Sequence, residues 1–541
     1  MGSHAIGVRR EDPMRMSLAP GWLARNDKAS PPAVAAILFL AVCALLLLPT
    51  LGRYPLFDID EGAFSEATRE ILRSGDWIST TLNGLPRYDK PILIYWLQAL
   101  SVKAFGLNEF ALRLPSGLAG LAWVAAILRF GAPRLGIRIA FAAATIAFTS
   151  LGVTAMAHAA TADALLNALL AATMFDLWRY LEGQGRAALL RCYAWIALGV
   201  LTKGPIAILI PVAVGTLYCA VVGRWRDALR AAVDPIGWMI LIAIAAPWYA
   251  AELAIHGWDF VQGFLIHHNL QRFGGTLEGH AGSPFYYLIV LPLLLAPWSG
   301  LLWRTVRPLP QDWHGDLPRF LWVWFGFVLV FFSLSGTKLP HYLLYGMTPV
   351  FLLAARRIEA RGTAGLLLLP AALLLLLPVA PAITQWFADA RAHGDPDFYA
   401  AQTQRALATA AGTYYEISGA AAVAGILLAT RRAVAPAWRA AGMCFLLTGS
   451  LGFAFLPWLG NLLSGPTKRA GEIAATLPGP VVQWNITVPS FSVYRRHVTP
   501  SRPPEPGEYA ITRTDRLVPG VPVKVLFREG GVELVQRLPS R

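Results

Sequence analysis

Three carboxylates within four positions, Asp58, Asp60 and Glu61, open the first polar stretch of the chain. They lead into AFSEATREILRSGDW, where apolar Phe64, Ala67, Ile71 and Leu72 recur at helical spacing. Acids at a helix start offset its dipole, and they are also the groups that position or deprotonate an attacking nucleophile. A second cluster, Arg87-Tyr88-Asp89-Lys90, precedes an aromatic apolar run with Tyr95 and Trp96. Lys and Arg bind phosphate by charge and fork geometry, although cations at this position also snorkel at a membrane boundary. Asp163 follows His158 and Thr161 in an otherwise apolar segment, where an acid is costly unless it caps a helix or is used. Lys203 in LTKGP and Lys338 with Tyr342 in SGTKLPHY bring two more lysines, neither in a GxxxxGK[ST] phosphate loop. Between them runs His267-His268-Asn269-Leu270-Gln271-Arg272. Two adjacent histidines do not share a helical face, so they make a weak zinc pair by themselves. A divalent cation shared with Asp60, Asp89 or Asp163 stays open, with Asp89 and His268 as its candidate ligands. No cofactor is otherwise indicated. Carboxylates, cations and aromatic platforms together suit transfer of a sugar from a phosphate-linked carrier, the basic groups stabilising the departing phosphate.

These residues must be positioned by a membrane bundle. Of 541 residues 56% are hydrophobic and 14% charged, whereas soluble domains carry about a quarter charged residues. The net charge of +14 is spread as arginine pairs and triplets between apolar runs, which excludes a nucleic-acid stripe and fits cytoplasmic loops. Cys43, Cys192, Cys219 and Cys444 all fall in apolar segments without disulfide or zinc spacing and read as small buried hydrophobes. No cleavable signal peptide is expected, so the first apolar run is read as a retained span.

A span needs about 20 apolar residues. Runs near 33–51, 113–131, 138–157, 161–181, 188–202, 205–222, 234–252, 284–303, 319–335, 340–355, 363–380, 414–430 and 437–458 predict about thirteen transmembrane helices. Residues 90–106 are too short and polar for a span and predict an interfacial helix. With an N-terminal cytoplasmic tail over 1–32, the arginine clusters then fall on one side and the chemically interesting residues on the other. The expected organisation is a transmembrane catalytic domain over 33–464, with outer loops at 52–112 and 253–283, and an outer C-terminal domain over 465–541. The last carries strand-like runs such as VVQWNITV and VKVLF. The predicted fold class is thus an all-α polytopic membrane bundle with a small α/β or β-containing C-terminal domain.

The motifs DE at 60–61, GDW at 75–77, LNG at 82–84, DKP at 89–91, FGLNEFALRLPS at 105–116, TKG, PWY at 247–249, HNLQRF and KLPHY occur in order. In this the chain resembles the bacterial membrane glycosyltransferases of the C-type superfamily, in the aminoarabinose transferase and protein mannosyltransferase-like group. The resemblance implies a bacterial inner-membrane enzyme that uses an undecaprenyl-phosphate sugar as donor. Lipid A, another glycan or a protein is then the acceptor. It implies Asp60 as the first catalytic acid with Glu61 beside it, Asp163 as the second acid, and Lys90 as ligand of the carrier phosphate. By position in their motifs, Arg87, Tyr88, Asp89, Lys203, Arg272, Lys338 and Tyr342 are expected to bind donor or carrier. Two departures bear on the sugar: Ala63 stands where that group carries Arg, and its Glu-Lys-Pro is Asp89-Lys90-Pro91 here. A lipid-linked sugar transporter is the competing expectation, but the polar groups gather at one face and no repeat is visible.

Overall fold

The computed structural model describes residues 33–271, 282–358, 363–391 and 398–539. Apolar runs form helices because hydrocarbon offers the backbone no partner outside its own hydrogen bonds. The first half of the chain contains α1 (Ala33–Leu47), α2 (Asp60–Ser74), α3 (Leu93–Phe105), α4 (Glu109–Leu135), α5 (Ile137–Thr149) and α6 (Leu151–Ala157). It continues with α7 (Asp163–Leu181), α8 (Arg186–Lys203), α9 (Ile206–Val221), α10 (Trp225–Ala232) and α11 (Pro235–Phe260). Later elements include the Asp316–Leu334, Gly412–Thr430 and Pro436–Ser450 helices.

Among the described residues, six helices are long and apolar enough to cross a membrane, or eight if each of two bent pairs is one span. The expected thirteen spans are therefore not recovered by length and composition. The polar residues that interest us are one reason: α7 carries Asp163, Asp176 and Arg179, and α8 carries Arg186, Arg191 and Lys203. The expected span at 340–355 is instead a 3-10 turn, Pro340–Gly346, leading into a nine-residue helix, Met347–Ala355. The expected loop at 253–283 begins later, because α11 runs to Phe260 across a break at Gly257 and continues as a π-helix, Val261–Gln271. The tail over 1–32 and Arg272 lie outside the described residues.

The interfacial reading of residues 90–106 corresponds to the 13-residue α3, which buries Ile94, Tyr95, Gln98 and Val102. It packs between α2 and α4. Gln98 ties them together, accepting from Thr68 at 2.7 Å and donating to the carbonyls of Leu112 and Ala160.

At the C-terminus a four-stranded sheet has the order β3-β4-β6-β5, labelled after a short hairpin β1 (Thr81–Leu82) and β2 (Leu85–Pro86). Its strands are β3 (Val481–Gln483), β4 (Tyr509–Arg513), β5 (Val523–Glu529) and β6 (Val532–Arg537). β3 pairs parallel with β4, and the other pairs are antiparallel. Its apolar face buries Val481, Ile511, Val532 and Leu534 with Ala470, Ala474 and Phe491, joining the sheet to the Gly465–Ala474 and Pro489–Arg495 helices. The latter helix packs on α2.

Candidate active site

Asp60 is the first residue of α2 and is exposed. Its neighbour Glu61 turns inward. Arg113 of α4 donates to Glu61 Oε1 at 2.6 Å and to Oε2 at 2.8 Å, and the amides of Ala160 and Phe57 donate at 2.8 and 2.7 Å. Arg113 also donates to the carbonyls of Leu51, Tyr54 and Pro55. A buried carboxylate with four donors is satisfied as a structural anchor. Glu61 therefore holds the loop that presents Asp60 and offers no free oxygen, a correction to its expected catalytic place.

Asp163 opens α7 and lies buried beside the end of α8. Lys203, the last residue of α8, contacts Asp163 Oδ1 at 2.5 Å, and Tyr345 donates to the same oxygen at 3.0 Å. His341 Nε2 is 3.6 Å from it. A cation at a helix C-terminus and an acid at a helix N-terminus each complement a dipole, so the pair meets where both are favoured. The chain leaves α8 through Gly204 at φ 84, and a Cβ there would come within 2.6 Å of Phe264. The TKG sequence thus has a steric reason as well as a charge. Tyr342 and Tyr345 stack with centroids 6.1 Å apart and lie 5.6 and 5.5 Å from the Lys203 ammonium.

The turn before α3 supplies the third wall. Arg87 is buried, with Nη2 3.1 Å from Asp89 Oδ2 and its guanidinium 5.2 Å from the Phe64 ring centroid. Its Nε and Nη1 are buried without a hydrogen-bond partner among the described residues, as is the hydroxyl of Tyr95. Three buried polar atoms left unsatisfied are costly unless an anion or water meets them. Burial would raise the Asp89 carboxyl, but the hydrogen bond from His268 and the charges of Arg87 and Lys90 outweigh it and hold it below the usual carboxylate range. Lys90 donates to the Asp89 carbonyl at 3.0 Å. Tyr88 lies edge-on to His256 and Phe260, lining the α11 side.

Electrostatics joins the three walls. The His341 imidazole is within the field of Asp163, Lys203, Asp60 and Lys90, and Arg87 is within that of Asp60. Asp60, Arg87, Lys90, Asp163 and Lys203 thus come together, with His341, Tyr345 and Tyr95 among them. His341 and Tyr345 were not singled out in the sequence, although the spacing in HYLLY places them one turn apart on the same segment. Lys338 is not in this group: its Nζ donates to the carbonyls of Ser333 and Ser335 at 3.1 and 2.5 Å, so it caps the Asp316–Leu334 helix. The expected phosphate contact of Lys338 gives way to that bond.

For a metal, His268 Nε2 and Asp89 Oδ1 stand 2.6 Å apart, in contact with each other. Among the described residues no group of three His, Cys, Asp or Glu side chains is placed to hold an ion. The pair falls short of the three protein ligands a catalytic zinc takes.

Residues 89–250 match the family described as dolichyl-phosphate-mannose-protein mannosyltransferase. Over 338 residues the chain is 31% identical to an undecaprenyl phosphate-alpha-4-amino-4-deoxy-L-arabinose arabinosyl transferase of Pseudomonas paraeruginosa, covering 60% of this chain and 59% of the relative. The protein of the same name from Edwardsiella ictaluri is 31% identical over 341 residues, covering 60% of each. The chain thus spans about 59% of the length of the first of these relatives. In fold it is similar to ArnT from Cupriavidus metallidurans bound to undecaprenyl phosphate, with TM-score 0.75 and 21% identity over 93% of this chain and 98% of that one. The apo form of the same protein gives a TM-score of 0.72 at 22% identity. Likeness in sequence and likeness in fold agree: the chain is similar to the aminoarabinose transferases over part of its length, and it shares their fold.

Proposed function

We propose that this protein transfers a sugar, aminoarabinose or a related one, from undecaprenyl phosphate to lipid A or another acceptor at the outer face of the bacterial inner membrane. The observation that carries the reading is the buried Arg87, with two guanidinium nitrogens unpartnered among the described residues, beside the Asp60, Lys90, Asp163 and Lys203 constellation. Names and bound carrier of the relatives above support the donor class. The arginine clusters support an N-terminal tail in the cytoplasm and a site, with the C-terminal domain, on the periplasmic side.

In this mechanism Lys90 and Arg87 hold the carrier phosphate, Arg87 through its Nε and Nη1, and together they stabilise the negative charge that grows as the glycosidic bond breaks. The acceptor attacks the anomeric carbon from the opposite face, inverting it. Asp60, exposed at the helix start, positions the acceptor, and takes its proton where the acceptor is a hydroxyl. A phosphate acceptor is already anionic and needs only positioning. Asp163 has its Oδ1 engaged by Lys203 and Tyr345, so it serves by fixing the Lys203 ammonium at the edge of the site. Tyr342 offers a ring face to the sugar, with the buried Tyr345 stacked beside it.

The test is transfer of radiolabelled sugar from a panel of undecaprenyl-phosphate sugars to lipid A in liposomes, comparing the intact chain with Asp60→Asn and Lys90→Ala. Transfer that is lost in both variants is the expected result and names the donor. Full turnover in Asp60→Asn removes the role given to that acid. Protein-dependent movement of the carrier without transfer replaces the proposal with a transporter.

A further inference from the structure

A second groove lies far from the site described above. α7 runs from Asp163 to Asp176 in 13 residues, which at 1.5 Å per residue is about 20 Å along the helix. There, between α4, α7 and α8, opens a groove of about 600 Å³. Its walls have a polarity. On α4 it is lined by Ala122, Ala125, Ala126 and Arg129, and on α7 by Ala172, Phe175, Asp176 and Arg179, at spacings that share one helical face. Each set is one stripe along its helix, with apolar side chains toward the bilayer middle and the charge toward the end.

The charged end is built. Asp176 is buried and accepts from Arg179 Nη1 at 2.8 Å, from Arg191 at 2.8 and 3.0 Å, and from the Trp195 indole at 3.0 Å. One carboxylate thus orders two arginines, and Arg129 adds a third cation that pairs with no acid among the described residues. Three guanidinium groups against one carboxylate leave the mouth of the groove with a net charge of +2 (three minus one). Snorkelling accounts for basic residues at a helix end, but it does not account for a groove floored with alanine beneath them.

We propose that this groove binds one anionic glycerophospholipid of the leaflet opposite the Asp60 site, its phosphate between Arg129, Arg179 and Arg191 and an acyl chain along Ala122, Ala126 and Ala172. The order of the walls, alanine deep and arginine at the surface, is the order of a lipid's own chain and headgroup. A basic pocket between membrane helices recognises such headgroups, each cation near the surface contributing about fivefold to affinity. The assignment is independent of the transfer reaction.

The experiment uses the full chain in phosphatidylcholine nanodiscs with chain-labelled nitroxide lipids and reads the motion-restricted fraction. Phosphatidylglycerol is expected to be held over phosphatidylcholine. Arg129→Gln is expected to lower that retention about fivefold. Ala126→Phe, which fills the groove without altering charge, is expected to lower it as well, with Ala122→Leu as the milder filler if the Phe variant fails to fold. Equal retention of the two lipids, or retention unchanged in Arg129→Gln and in a folded filler variant, overturns the proposal. Displacement of labelled phosphatidylglycerol by glycerol phosphate also overturns it, since a site for the headgroup alone needs no groove.

Discussion

Asp58 and Ser490, 432 positions apart, meet where the C-terminal domain rests on the first outer loop. The Ser490 amide donates to Asp58 Oδ1 at 3.0 Å, and the Ser490 hydroxyl donates to the other oxygen. Asp58 lies two residues before Asp60, so this contact braces the helix start that carries the exposed acid. Gly62 makes it fit: a Cβ there would lie 2.6 Å from the Ser490 nitrogen. Gly62→Ala is expected to destabilise the chain by about 1–3 kcal/mol, as overpacking does, read as a lower unfolding midpoint in detergent. An unchanged midpoint would show that the contact is dispensable.

The same contact predicts a pH dependence. Burial pushes the Asp58 carboxyl up to about 7, against the hydrogen bonds from Ser490, and pushes Glu66 up to about 8, against Arg69. Folded-state values above the unfolded ones favour the protonated forms. Their contribution is full below the ordinary carboxylate range of about 4 and is lost as pH rises through 7 to 8. The unfolding midpoint should fall from about pH 5 to about pH 8, and Asp58→Asn combined with Glu66→Gln should flatten that slope.

Breaking the Glu61–Arg113 pair leaves a buried charge alone. Arg113→Met is expected to cost about 3–5 kcal/mol and to reduce folded yield, measured by size-exclusion recovery and thermal unfolding. Replacing Glu61 with Gln should be milder, because the amide oxygen still accepts. A transfer rate that collapses in Glu61→Gln at unchanged stability would restore a direct role for Glu61.

Arg87→Ala removes two guanidinium nitrogens that lack partners among the described residues. Carrier binding should weaken about tenfold or more, seen as a raised KM for the undecaprenyl-phosphate sugar, with the unfolding midpoint little changed. A purely structural Arg87 would instead move the midpoint and leave KM alone.

Lys203→Met leaves Asp163 with Tyr345 and His341. The maximal rate is expected to fall about 100-fold if the ammonium stabilises charge in the transition state, and Lys203→Arg should recover little because a planar fork does not fit the contact now made by one ammonium. Parallel loss of folding in both variants would mark the ion pair as scaffold.

Much of this protein is written in its composition. Long apolar runs can satisfy their backbones only as helices in lipid, so the membrane class follows from sequence, as does the short amphipathic α3. Clusters such as Asp60-Glu61 and Arg87 to Lys90 are visible because unusual charge stands out against apolar neighbours. Availability is not visible. Asp60 and Glu61 are adjacent, yet one faces outward while the other is consumed by Arg113, and a rotation of about 100° per helical residue is what separates them. Lys203 and Lys338 sit in similar turns, but packing brings the first to Asp163, 40 positions away, and leaves the second on its own helix end. Tyr345 reaches Asp163 across 182 positions. Local spacing determines which residue types share a turn, whereas contacts between distant segments depend on how whole helices pack, and only the tertiary structure decides that.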